Sequence, residues 1–227
     1  MPLQLTGQTG PQTVGDGAQI PFRQGRAGDQ IVSELHGRFY EQNYRAALFT
    51  GGMTLTSINA ATFTSATTGV TATPVVGIYN PQTSKVNCVI LQAVLGITVT
   101  ALASTGGGPF VWMVSTQNNA VSTGAAPFST LTLTQNGSQV KNVAGVALTG
   151  MTGTLAVVRA SALFGGSFTN QSFTATAAGM QTTQFSSVEN LDGSLIVPPG
   201  GVLALMATTT PVAHSATSGL LWEEVPV

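Results

Sequence analysis

A mainly β fold is what this 227-residue chain predicts: an antiparallel, jelly-roll-like sandwich with an extended N-terminal arm and one short helix. Three observations predict it. Short runs rich in β-branched and aromatic residues recur from residue 52 onward, clusters of Gly, Pro and Asn separate them, and no helical periodicity lies between them. No repeat of fixed period runs through them, which excludes propellers and solenoids.

The elements follow in order. Residues 1–28 carry Gly7, Gly10, Pro11, Gly15, Gly17, Pro21, Gly25 and Gly28, a density that suits neither a helix nor a central strand, so this stretch reads as an arm. In DQIVSELHGRFYEQNYRAALF, Val32, Leu35, Phe39 and the Asn43/Ala46 row follow helical spacing, and Ile31 and Tyr40 widen the stripe. Asp29 stands at the N-cap position. Glu34 with Arg38 and Glu41 with Arg45 are acid-before-base pairs four apart, each worth a few tenths of a kcal/mol on an exposed face. The spacing predicts a helix over about 30–47 that bears Gly37 in its interior and ends at Gly51-Gly52. Strands are then expected at 52–58, 73–80, 86–100, 110–116, 154–164, 194–197, 202–209 and 220–225, with turns at Asn80-Pro81, Gly106–Pro109, Asn136-Gly137, Gly165-Gly166 and Pro198–Gly201.

Charge divides the chain near residue 50 into a docking segment, 1–50, and a body, 51–227. Seven Lys and Arg and eight Asp and Glu make the chain only 7% charged, against about 25% for an ordinary soluble domain. Eight of those charges lie between Asp16 and Arg45, whereas from Ala46 to Val188 only Lys85, Lys141 and Arg159 appear. A net charge of −1 offers no surface for a polyanion, so no direct nucleic-acid partner is expected. At 43% hydrophobic the chain is no disordered polymer. The apolar stretch at 86–103 is interrupted by Asn87, Gln92, Thr98 and Thr100 and reads as buried strand, so no membrane partner is expected. The N-terminus lacks the pattern of a secretory signal. With so few charges to hold copies apart, the chain reads as built for assembly.

Residues that carry chemistry are few. Cys88 is the single cysteine, which excludes an internal disulfide and a multi-cysteine zinc site; it reads as a small buried hydrophobe. His36, on the expected helix, and His214, in a loop-like stretch, stand far apart without a metal-ligand companion. Glu223 and Glu224 are adjacent, so on a strand they point to opposite faces and form no carboxylate pair. Glu189 and Asp192 flank ENLDG, which reads as a turn. The Gly-rich runs lack the residues of a phosphate loop. Trp112 and Trp222 read as core or interface packing. No enzymatic activity, cofactor or metal is expected.

The stretch Ser33-Glu-Leu-His-Gly-Arg-Phe-Tyr-Glu-Gln-Asn-Tyr-Arg45, continuing to Phe49-Thr-Gly-Gly52, resembles virion structural proteins of tailed bacteriophages. The body, ending in Leu195-Ile-Val-Pro-Pro-Gly-Gly-Val-Leu-Ala-Leu205, is similar in style to viral jelly-roll domains. The resemblance implies a particle component without chemistry: a capsid cement or decoration protein on the virion surface, a homotrimer or homodimer whose partners are the major capsid protein or other virion subunits. A fibre-like or receptor-binding module that recognises a glycan is the alternative. Under either reading Arg23, Arg26, Glu34, Arg38, Glu41 and Arg45 are expected to supply specificity contacts, the alternative being a solvated helix face with ordinary i,i+4 pairs, and Tyr40 and Tyr44 are expected either to anchor in a partner groove or to pack the helix on its own β body.

Overall fold

The structure, a computed structural model, describes residues 7–8, 22–23, 39–55, 73–99, 110–121, 124–135, 137–148, 151, 153–161, 184–208 and 214–227. The chain divides into two compact units, Met1–Glu41 and Gln42–Val227. In the first, the two-residue strands β1 (Gly7–Gln8) and β2 (Phe22–Arg23) pair in parallel. Much of the expected helix lies outside the described residues; the described part is α1, Tyr40–Tyr44. Its end is not the expected glycine pair. Ala46 takes a left-handed backbone (φ 56°), and Gly51 and Gly52 lie inside strand β3, Leu48–Leu55.

Nine further strands follow: β4 (Val76–Tyr79), β5 (Val86–Val99), β6 (Phe110–Ser115), β7 (Phe128–Ser129), β8 (Lys141–Asn142), β9 (Ala156–Ala160), β10 (Gln184–Val197), β11 (Val202–Ala207) and β12 (His214–Pro226). They form two antiparallel sheets packed face to face, in the orders β10-β5-β12-β3-β7 and β8-β4-β11-β6-β9. The pairings are nested about the middle of the chain. β3 pairs with β12, β4 with β11, β5 with β10 and β6 with β9, and the segment before β7 meets β8 through the bridge Ala125 to Asn142. A long antiparallel hairpin rolled over on itself gives this order, which is the winding of a jelly roll.

Alternation decides what each strand buries. On β11, Leu203, Leu205 and Ala207 enter the core between the sheets, whereas Val202, Ala204 and Met206 face the other way. Phe110 and Trp112 of β6 turn inward, Val111 and Met113 outward. From the first sheet come Phe49, Ile90, Leu95 and Trp222; the rings of Phe49 and Trp222 stack at 6.4 Å and 26°. The outward residues of β6 and β11 are buried as well, beneath Val121, Val143, Leu148, Met151 and Leu155 of the connecting loops. β6 and β11 are thus covered on both faces, which is why FVWMVS and VLALMA read as unbroken apolar runs, whereas the edge strand β9 is exposed.

Two expectations need correction. ENLDG is not a turn but lies within β10: the register against β5 shifts between Asn190 and Leu195, and Asp192 (φ 48°) and Gly193 (φ 80°) form a bulge. A bulge needs the same left-handed backbone as a turn, so the residue signal is shared. His214 is not in a loop but opens β12, paired with Val99.

Candidate functional site

The residues expected to contact a partner fall on both sides of the division between the two units. Arg23 lies in β2, and Tyr40 and Glu41 lie in α1. Arg26, Glu34, Arg38 and His36 lie outside the described residues. Tyr44 and Arg45 are exposed where α1 passes into the turn before β3. Just beyond it, Thr130 ties the body together, its hydroxyl donating to Asn43 Oδ1 at 2.5 Å and its amide to the Leu48 carbonyl at 3.1 Å.

Polar groups deep in the body are spent on holding it together. Glu189 of β10 is buried and reaches across from the first sheet to the second. Its Oε2 accepts from Trp112 Nε1 at 2.9 Å and from Ser161 Oγ at 2.6 Å, and its Oε1 accepts from Arg159 Nη2 at 2.7 Å. Sequence reasoning gave Glu189 only turn chemistry. It was missed because its three donors lie 28 to 77 residues away in sequence. A shift in register between β6 and β9 sets Trp112 beside Arg159 and Met113 beside Val157, which brings the guanidinium to the carboxylate. With both oxygens occupied by donors, this carboxylate is an inter-sheet clamp and not a base poised for proton transfer.

A second network joins strand ends. Asn119 Nδ2 donates to Ser115 Oγ at 2.9 Å, its Oδ1 accepts from the Gly153 amide at 2.8 Å, and its carbonyl accepts from Tyr79 Oη at 2.6 Å. Asn80 Nδ2 donates to the carbonyls of Val86 and Val197, locking the turn after β4 onto the start of β5 and the end of β10. Glu224 is half-buried and accepts at Oε1 from Ser138 Oγ and from Trp222 Nε1 at 3.3 Å. Burial raises its pKa above the usual carboxylate range, and the two hydrogen bonds oppose that rise. Burial also pushes the Cys88 thiol up, with the Glu224 carboxylate adding to the effect, so the thiol stays protonated and inert. Among the described residues no group of three or more His, Cys, Asp or Glu could hold a metal ion.

What the body presents outward is the other face of the first sheet. Registers place Val188, Val94, Gly219 and Gly52 on one row across β10, β5, β12 and β3. One pleat to the side, Asn190, Gln92, Leu221 and Thr50 form the next row, where Gln92 Nε2 donates to Asn190 Oδ1 at 2.9 Å. Beyond the bulge, Ile196, Val89 and Glu223 share a third row that ends on Leu48, which is itself buried. Val188 and Ile196 are each 55% exposed and Val94 is 38% exposed. Of the residues on these rows only Glu223 is charged. The sequence carried a sign of this face in its lack of charge, but not which strands would lie side by side.

Comparison with family models, with curated proteins and with solved structures returns no match. The fold and the site therefore define the class by themselves: a β sandwich in which the buried Glu189, Asn119 and Asn80 join its own strands and loops and whose first sheet offers a charge-poor outer face.

Proposed function

We propose that this chain is a non-enzymatic structural subunit of a phage virion, a cement or decoration protein that stabilises the head through contacts with several capsid subunits. The observation that carries the reading is the charge-poor, partly apolar outer face of the first sheet on a body with few charges. A surface of this kind gains by being covered and has little electrostatic repulsion to keep it single. Its work is mechanical. Many weak contacts made at once by a symmetric cluster add as avidity, so the shell resists internal pressure without any single strong bond. The charged segment around Arg23, Arg26, Glu34, Arg38, Glu41 and Arg45, with Tyr40 and Tyr44, supplies the contacts that choose the major capsid protein or another virion subunit.

Imaging the whole particle with and without the full-length chain tests this reading. Density for the chain over capsomer junctions, together with shells that rupture more readily in its absence, is the expected result. Shells of unchanged strength, or attachment of the free chain to host glycans with no place on the head, would assign it instead to a fibre-like or receptor-binding role.

A further inference from the structure

We infer that the outer face of the first sheet is where two copies of this chain meet, sheet against sheet, about a two-fold axis running along the strands between β5 and β12. The inference goes beyond the capsid reading and does not depend on it, because such a dimer forms with no particle present. Covering has already been provided on the other side of the sandwich, where the chain's own loops bury the outward residues of β6 and β11. The first sheet keeps its outer valines and isoleucine in solvent.

The occupant is chosen by the shape of the face. On the row Val188, Val94, Gly219, Gly52, the β10 and β5 half is a ridge of two valines and the β12 and β3 half is a trough of two glycines. A Cβ added at Gly219 would meet nothing within 4 Å, so the trough is open above it. Turning a second copy over about an axis along the strands lays its valine ridge into this trough and the first copy's ridge into its own. The row on the opposite side from Gln92 repeats the relation with the sizes reversed: Gly96 of β5 lies beside Thr217 of β12, and the same rotation sets each Thr217 over the partner copy's Gly96. Isologous contacts require this self-complementarity.

Charge and area agree. A face that meets itself cannot tolerate a central charge, and Glu223 stands toward one end, where the rotation sets it over the uncharged Val89 and not over its own copy. β10, β5 and β12 run 14, 14 and 13 residues and β3 runs 8, so the four strands present a patch about 20 Å wide and about 40 Å long that is shorter along its β3 edge. That is on the order of the 800 Å² per partner that a stable interface uses.

Gly219→Val tests the assignment in the full-length chain. The added side chain enters open space in a single copy and fills the trough a partner needs, so folding is expected to be unchanged while dimer dissociation rises roughly tenfold or more in sedimentation velocity. Val94→Lys is expected to do the same, and Val158→Lys, on the exposed face of β9, to leave the dimer intact. Independently, a Val94→Cys thiol is expected to alkylate roughly tenfold more slowly in concentrated than in dilute solution, with Cys88 silent because it is buried. A wild-type chain that is monomeric at every concentration would overturn the assignment, as would a dimer indifferent to Gly219→Val. Shielding of the Val94→Cys thiol that does not change with dilution would give the face to another part of the same chain and equally overturn it.

Discussion

Both carboxylate oxygens of Glu189 are held by donors from the opposite sheet, and Arg159, whose side chain is 37% exposed, still touches water. Replacing Glu189 by Ala strands the Trp112 indole and the guanidinium. A loss toward the lower end of about 3–5 kcal/mol is expected in chemical denaturation, because the arginine can turn to solvent. Pairing Glu189→Leu with Arg159→Met restores much of that loss, since neither charge is then left alone. Glu224 behaves differently. Its pKa is raised in the folded state by burial, so the stability it contributes is fully present below the unfolded-state value and is lost as pH rises through the folded-state value. Glu224→Gln is therefore expected to raise Tm at neutral pH and to flatten the fall of stability with rising pH above the ordinary carboxylate range; a variant as pH-dependent as the parent would contradict this. Neither role was legible in sequence, because Glu189 and Glu224 acquire their partners only when strands distant in the chain are brought together. Cys88 and the two tryptophans were legible, since burial is what their type and apolar neighbours dictate.

At the scale of elements, two glycines decide local geometry. Gly193 holds the β10 bulge at φ 80°, and a Cβ there would lie 3.2 Å from Val89 Cγ1. Gly193→Ala is expected to lose about 1–2 kcal/mol, read as a lower denaturation midpoint. Gly52 has an unexceptional backbone, but a Cβ on it would sit 2.4 Å from the Ser218 carbonyl oxygen, so Gly52→Ala must part β3 from β12 and is expected to cost more than the bulge variant. These same glycines misled the sequence reading. Gly51-Gly52 looked like a helix stop because glycine breaks helices, whereas here it permits close approach of β12 and of Asn142. β7 and β8, two residues each, carry no periodicity that could reveal them and exist only through their pairing with β3 and β4. The polar first halves of β10 and β12 were unmarked for the same reason: their neighbour β5, and not their own composition, makes them strands. The runs in β4, β6 and β11 were legible because strands buried on both faces are apolar along their length, and β5 was legible from its long run of β-branched and aliphatic residues.

For the whole molecule, sparse charge foretold a sandwich short of ionic surface, and the nested strand order explains how such a chain still folds to one structure. The pairs β3–β12, β4–β11, β5–β10 and β6–β9 are the arms of one progressively rolled hairpin, with the Phe49–Trp222 stack joining β3 to β12 and the Glu189 clamp fixing one sheet against the other. What composition could not foretell is the inequality of the two outer faces, since it depends on which loops fold back. If the segment ahead of the sandwich chooses the partner, Arg45→Glu lowers occupancy on particles by roughly tenfold or more while Tm stays within a degree or two, because Arg45 is exposed and surface charges contribute little to folding. Co-sedimentation of the full-length chain with shells that lack it tests most directly whether the chain is a subunit of the particle. The expected result is saturable binding at a fixed ratio to the shell subunit; a chain that remains in the supernatant at every concentration would contradict it.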